Sequence, residues 1–129
     1  MTYCILENQY EVKFMSTNYC ISNFLKVICL LQENSINNCS SFRCSYYNTR
    51  VLSFYRKDGS LYSISYLDSS GNISISSIFR IISVSSDCCT VLILEQNNGT
   101  YSSTKEFLTI DLKCIGAIRC ILDVNVSNL

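Results

Sequence analysis

The apolar residues between Cys20 and Gln32 recur at steps of three and four positions, namely at Ile21, Phe24, Leu25, Ile28 and Leu31. This is the period of an amphipathic helix, because every third or fourth side chain returns to the same helix face. The pattern predicts one short N-terminal helix over about residues 20–32. Cys20 and Cys29 are nine positions apart, and about 100° of rotation per residue puts them on opposite faces, so at most one can face a core.

After the polar stretch 33–49 the apolar residues alternate with polar ones, which is typical of β-strands. Predicted strands over 51–57 and 60–67 flank Asp58-Gly59. This dipeptide accepts the positive φ angles of a type I′ turn, so we expect the two strands to form a hairpin. In the second strand the apolar face is Tyr62, Ile64 and Tyr66, opposite Ser63 and Ser65.

Turn signals at 69–72, at Asp87 and at 96–99 divide the rest of the chain. Further strands are predicted over 73–84, with a bend near Ser76 and Ser77, over 88–95, which is apolar on both faces, over 105–112 and over 117–126. In the last strand, one face is expected to carry Ile118, Cys120, Leu122 and Val124. The pattern predicts a mainly β fold, a β-sandwich or small barrel of about six to eight antiparallel strands with one short N-terminal helix.

Residues 1–19 show no clear period, and we interpret them as an N-terminal arm or an added strand. The remaining residues, 20–129, are expected to form a single cysteine-rich β domain, with strands over about 51–126. A chain of 129 residues fits one domain of ordinary size.

The charges are balanced and scattered, with ten basic and ten acidic residues and a formal net charge of zero. No basic surface is predicted that would attract a phosphate backbone, so nucleic acid is not an expected partner. A neutral chain with 48% hydrophobic residues lacks the repulsion that keeps copies apart. Proline, a common protection against edge-to-edge strand pairing, is absent. We therefore expect the protein to associate with copies of itself.

No secretory signal is predicted, because Glu7, Glu11 and Lys13 interrupt the first apolar stretch. No apolar run approaches the ~18 residues of a membrane span, so membrane insertion is not expected. Synthesis in the cytoplasm, without a signal peptide, is the expectation. A reducing cytoplasm disfavours disulfides, yet the chain has nine cysteines. A cell that later lyses and exposes its contents to oxidation, such as the mother cell of a spore, would resolve this conflict.

The chain contains no histidine, so it cannot build the Cys-His or Ser-His-Asp arrangements that use an imidazole base. Its four glycines lie singly, which excludes a glycine-rich phosphate loop. No Cys-x-x-Cys pair is present, so a zinc site is not predicted. We expect neither enzymatic activity nor a cofactor.

All nine cysteines are candidates for disulfide bonds or cross-links: Cys4, Cys20, Cys29, Cys39, Cys44, Cys88, Cys89, Cys114 and Cys120. Cys88 and Cys89 are adjacent on a predicted strand and should point to opposite faces, which leaves one of them directed outward or buried as a small apolar side chain. Cys39 and Cys44 can close a short loop, and Cys120 lies on an apolar face. The preferred inter-subunit candidates are Cys4 and one of Cys20 and Cys29.

Four segments resemble a known family, namely 20–32, 78–84, 89–92 and 108–124. They are similar to the corresponding stretches of the CotY/ExsY-type family of cysteine-rich outer coat and exosporium proteins of endospore-forming bacteria. The most specific part is the Asp-Leu-x-Cys-x-x-Ala-Ile-x-Cys run from Asp111 to Cys120. The chain departs from the family at Gly116, where another cysteine is frequent, and in lacking a polar, histidine-containing leader.

The resemblance implies a structural protein of the spore surface that self-assembles into disulfide-reinforced two-dimensional layers. Its implied partners are copies of itself and other spore coat proteins, and Cys20, Cys114 and Cys120 match family positions. The alternatives are a spore appendage or fibre subunit, and a cytosolic thiol or zinc-binding protein that stays monomeric. A secreted β-sandwich binding module would need an export signal.

Overall fold

The computed structural model describes residues 17–37 and 47–129. Its regular elements in chain order are helix α1 (Thr17–Asn37), strands β1 (Thr49–Tyr55), β2 (Ile64–Leu67), β3 (Ile73–Ser76), β4 (Phe79–Val84), β5 (Cys88–Asn97) and β6 (Thr100–Asp111), a 3-10 helix (Leu112–Cys114) and strand β7 (Ala117–Val124). The predicted arm falls on residues 1–16, outside the described residues, and on the first turn of α1. The predicted Cys39–Cys44 loop also lies outside them.

Helix α1 confirms the predicted helix and extends beyond it at both ends. Its buried face carries Ile21, Leu25 and Ile28. Gln32 is also buried, and both polar atoms of its side chain have a partner: Nε2 donates to the carbonyl of Ile81 at 3.0 Å, and Oε1 accepts from the backbone N–H of Arg50 at 3.0 Å. A buried amide needs such partners. These bonds fix α1 against two strands of the sheet.

The fold is mainly β, as predicted. Five antiparallel strands form one sheet in the order β6-β5-β4-β1-β7, and β2 pairs with β3 in a separate two-stranded sheet. The main core lies between one face of the large sheet and a layer made of α1 and the β2-β3 sheet. Its fully buried members include Leu25, Phe54 and Phe79, and Tyr66 joins them from β2.

A second, smaller core lies on the opposite face of the large sheet and contains Val51, Leu92, Leu94, Tyr101 and Val126. Here the end of the chain returns from β7 to β6. Ser127 N–H donates to the carbonyl of Tyr101 at 3.2 Å, and Ser103 N–H donates to the carbonyl of Ser127 at 3.0 Å. The two edges of the sheet thus meet at one end, which gives the sandwich a barrel-like closure.

The turn at Asp58-Gly59 exists, but the predicted type I′ geometry is wrong. That geometry needs positive φ at both central residues, and only Gly59 has it, at 90°. The turn is closed by a hydrogen bond that the Gly59 N–H donates to the carbonyl of Arg56 at 2.9 Å. A type I′ turn does occur at Asn98 and Gly99, where φ is 51° and 80° and β5 and β6 pair up to the turn.

The segment predicted to pair with β1 as a hairpin, 60–67, separates from β1 after Tyr62. Tyr62 N–H still donates to the carbonyl of Phe54 at 2.8 Å, but Ile64–Leu67 then pairs with β3. The predicted alternation within the segment is confirmed, because Tyr62, Ile64 and Tyr66 pack against the main core while Ser63 and Ser65 are exposed. The alternation therefore identified the buried face of the strand and not its partner.

The predicted bend near Ser76 and Ser77 is confirmed, since β3 ends at Ser76 and β4 begins at Phe79. The strand predicted to be apolar on both faces is β5, which contributes to both cores. The strand predicted over 105–112 is longer and begins at Thr100.

The prediction of a single apolar face along β7 is wrong. A β-bulge lies between Leu122, which pairs with Val51, and Cys120, which pairs with Leu52. One extra residue reverses the alternation. Ile118 and Cys120 therefore pack against the main core and Val124 against the second core.

Candidate functional site

The cysteines are the candidate functional groups, and the described residues include six of them. Five carry free thiols: Cys29, Cys88, Cys89, Cys114 and Cys120. Cys20, the fourth residue of α1, is disulfide-bonded. Cys4, Cys39 and Cys44 lie outside the described residues. The free thiols differ in burial, and this difference decides what each can react with.

Cys88 and Cys89 point to opposite sides of β5, as predicted. Cys89 is 1% exposed in the main core, and its burial raises the pKa of the thiol to about 12. Cys88 is half-buried near the start of the strand, where its Sγ lies 3.4 Å from the Ser85 hydroxyl oxygen. The thiolate is the reactive form of cysteine, and at neutral pH the Cys89 thiol stays protonated. We therefore expect Cys89 to be unreactive in the folded protein.

Cys29 lies on α1, half-buried beside Arg80 of β4. Burial raises the pKa of the Cys29 thiol; the nearby Arg80 charge opposes this shift and Glu33 adds to it. Arg80 is held in place by bonds to the Thr49 hydroxyl at 2.9 Å and to the carbonyl of Asn48 at 3.2 Å. The sequence pattern gave no indication of the Cys29–Arg80 pair, because nothing in a single chain relates a helix position to a strand 51 residues later.

Cys114 is exposed at the end of the 3-10 helix that follows β6. The backbone around it is anchored. Asp111 caps the 3-10 helix by accepting from the Lys113 N–H at 2.9 Å, and the Leu112 N–H donates to the carbonyl of Asp87 at 2.9 Å. Leu112 itself is fully buried. The exposed thiol is therefore carried by a segment with a fixed position on the domain.

Cys88 and Cys114 occur at the same end of the large sheet. Cys88 is opposite Asp111 in the β5-β6 ladder, and Cys114 follows Asp111 by three residues. Cys120 lies elsewhere, on β7, half-buried against the main core as predicted. The fold thus places Cys88 and Cys114, which are 26 positions apart in the sequence, at the same end of the large sheet, and both thiols are free.

Within residues 17–37 and 47–129, no group of three or more His, Cys, Asp or Glu side chains is arranged to hold a metal ion. Helix α1 lacks the sustained apolar stretch that a membrane-crossing helix needs. No protein-family model, curated protein or solved structure matches the chain.

The burial order predicts the order of thiol modification in the native protein. With a small alkylating reagent at neutral pH and in the presence of reductant, we expect Cys114 to react first and Cys89 only after unfolding. Peptide mass spectrometry after timed quenching measures each rate. In denaturant the two rates should converge, which is the control for intrinsic reactivity. Early alkylation of Cys89 in the folded protein would contradict the described core.

Proposed function

We propose that the protein is a non-enzymatic structural subunit of a bacterial spore surface, located in the outer coat or exosporium. Copies of the chain assemble with one another and with other spore coat proteins, and disulfide bonds between subunits reinforce the layer. The resemblance of 20–32, 78–84, 89–92 and 108–124 to spore coat and exosporium proteins supports the location. The distribution of free thiols supports the cross-linking.

The observation that carries the proposal is the exposed thiol of Cys114 on an anchored segment. A disulfide forms only when the two Cα atoms come within about 4.4–6.8 Å in a suitable orientation. A thiol held in a fixed position can meet this requirement at a repeating contact between copies. A buried thiol such as Cys89 cannot reach another molecule, and it serves as an internal comparison.

In this proposal, assembly comes before cross-linking. While the chain is in a reducing cytoplasm its thiols stay reduced, and the subunits assemble through reversible contacts. When the mother cell lyses, oxidation joins thiols that already lie at the contacts. Dissociation of the layer then requires reduction as well as loss of the interface energy. A layer of this kind should resist heat and denaturant until reductant is added.

Cys114→Ser is the direct test of the proposed cross-link. In oxidised wild-type protein we expect a ladder of multimers on denaturing gels run without reductant, which collapses to monomer with reductant. Cys114→Ser should remove most of this ladder because it removes the most exposed described thiol. The matched control is Cys89→Ala, which also removes one free thiol, but a buried one, and should leave the ladder intact.

Negative-stain microscopy of the same samples distinguishes the forms of assembly. Extended sheets support a layer protein, whereas filaments support the alternative of a spore appendage or fibre subunit. Monomers with and without oxidation would overturn both proposals. A ladder that is unchanged in Cys114→Ser would overturn the assignment of Cys114. The candidate cross-linking thiols among the described residues would then be Cys88, Cys29 and Cys120.

A further inference from the structure

The two-stranded sheet carries the most exposed apolar side chains of the described residues. Ile73 and Ile75 on β3 are 76% and 73% exposed, and Leu67 on β2 is 59% exposed. They share the outer face of this sheet, since Leu67 pairs with Ile73 and Ser65 with Ile75. The opposite face carries Tyr66 and Ser76, which are buried. Three large apolar side chains without a charge among them form an outer patch.

The hydrogen bonds of β3 alternate between its two edges. In the turn before β3, the Asp68 N–H donates to the carbonyl of Asn72 at 2.8 Å. Because directly opposed residues of an antiparallel pair alternate between bonded and non-bonded, Ser74 and Ser76 bond to β2 while Ile73 and Ile75 do not. The backbone N–H and C=O groups of Ile73 and Ile75 therefore point away from β2, along the outer edge of β3.

The outward backbone groups at the two edges of the small sheet differ in their hydrogen-bond partners. On the β2 edge, the outward N–H of Leu67 donates to the carboxylate of Glu106 at 3.0 Å, which caps it. On the β3 edge, no described group bonds to the backbone of Ile73 or Ile75. The sequence of β3 is Ile-Ser-Ile-Ser, with none of the lysine or proline residues that commonly protect a strand edge. Among the described residues, the β2 edge thus has one outward donor satisfied by a side chain, whereas the outward groups of β3 have no such bond.

We propose that the outer edge of β3 pairs with β3 of a second copy of this chain, antiparallel and centred on Ser74. In this register Ile73 of each copy is opposite Ile75 of the other, so the outward backbone groups of both residues are satisfied in both copies. The pairing joins two small sheets into one of four strands, and the outer patches become continuous. The strand is uncharged, so a second copy meets no like charge opposite it.

A second copy fits this edge better than an unrelated strand for a geometric reason. The segment reads as apolar, polar, apolar about Ser74, so a two-fold axis through Ser74 places every isoleucine beside an isoleucine on the same face. This contact deepens the proposed self-assembly and rests on it for its biological role. Its chemistry is independent of sulfur, since it uses backbone hydrogen bonds and apolar side chains only.

Ile75→Pro in the full chain is the sharpest test, carried out with reductant present throughout. Proline at this position removes an outward donor and keeps the bonds between β2 and β3, because Ile75 does not bond to β2. Light scattering across a concentration series should show wild-type dimer or larger species. For the variant we expect the dissociation constant to rise at least roughly tenfold, because each copy loses one interface hydrogen bond.

Ile75→Lys provides a second variant with an unrestricted backbone, and it should weaken association similarly. Leu61→Lys is the matched control, since it places the same charge at another exposed apolar residue and should leave association unchanged. Circular dichroism checks that each variant is folded. In hydrogen exchange, the Ile73 and Ile75 amides should become protected as wild-type protein associates, while Ser74 is protected at every concentration.

Two results would overturn the edge pairing. One is a reduced wild-type protein that remains monomeric at every concentration, and the other is association that neither Ile75 variant weakens. Association that neither Ile75 variant weakens leaves the disulfide proposal standing, since that is tested by the oxidised ladder. A reduced protein that stays monomeric would also contradict the proposed assembly before oxidation. Conversely, a missing ladder combined with association that the Ile75 variants weaken would reject the disulfide cross-link and retain the edge contact.

Discussion

Phe79→Ala should destabilise the protein by about 3–5 kcal/mol, a cost typical of removing a buried phenylalanine. Phe79 is fully buried in the main core, where its ring stacks on Phe54 at a centroid distance of 5.4 Å and contacts Tyr62 edge-on at 6.2 Å. It also lies where β1 and β4 meet, since Leu52 and Phe79 are the register pair of those strands. Chemical denaturation followed by circular dichroism measures the loss.

The matched control is Phe107→Ala. Phe107 lies on β6 and is 59% exposed, so we expect a change within about 0.5 kcal/mol, as for most surface substitutions. A total stability of about 5–15 kcal/mol is usual for a small domain, so the Phe79 variant could be partly unfolded at 37 °C. Equal losses for the two variants would contradict the assignment of Phe79 to the core.

Gly116→Asn should destabilise the protein by about 1–3 kcal/mol, the usual range for inserting atoms where no space exists. A Cβ atom at Gly116 would lie 2.8 Å from the Cα of Lys57 and 2.9 Å from the carbonyl oxygen of Arg56. Both are backbone atoms of the turn after β1. The Gly116 N–H also donates to the carbonyl of Tyr55 at 2.7 Å, which holds the two segments together.

Gly99→Asn is the control for this prediction. Gly99 has φ of 80°, but an added Cβ would meet nothing within 4 Å. Asparagine tolerates this left-handed conformation, so we expect a loss below about 1 kcal/mol. Thermal unfolding of the two variants separates steric crowding from backbone strain. A larger loss at Gly99 than at Gly116 would reject the crowding explanation.

The same crowding applies to a cysteine at position 116. A cysteine side chain begins with the Cβ atom that the Arg56–Lys57 backbone excludes here. A cysteine at this position would require the turn after β1 to move outward.

The two proposed contacts have complementary properties. Pairing at the β3 edge uses weak, reversible bonds and allows copies to correct their register during assembly. Oxidation of thiols such as Cys114 is slow and makes existing contacts resistant to dissociation. Because the β3 edge and Cys114 belong to different parts of the chain, one subunit can bond to different neighbours through each. Two distinct contacts per subunit are what an extended array needs, whereas one isologous contact gives only a dimer.

Local patterns in the sequence were sufficient to predict the class of fold. The three- and four-residue steps from Ile21 to Ile28 identified α1, because a helix returns its side chains to one face at that interval. Leu31, the last member of the predicted apolar face, is instead exposed. The same logic located most strands and turns, including the break after Ser76. It also predicted that Cys88 and Cys89 point in opposite directions, because strand geometry alone requires it.

Strand partners and register were decided by tertiary structure. Alternation shows which side chains of Ile64–Leu67 are buried, but it does not identify the partner strand. In the fold β1 is paired with β4 and β7, and Ile64–Leu67 pairs with β3. The hydrophobic pattern of β7 does not reveal its bulge, because side chains on both faces of this strand pack against a core. When either face can be buried, an extra residue leaves no mark on the hydrophobic pattern.

The chemistry of the candidate site divides in the same way. The sequence by itself determined that cysteine is the reactive residue type and that no imidazole is available. Only the folded chain decided that Cys89 is buried in the core and that Cys114 is exposed. It also decided that Glu106 accepts from the Leu67 N–H, whereas no described group bonds to the outward backbone of β3. Residue type is a local property, but exposure depends on which distant segments pack nearby.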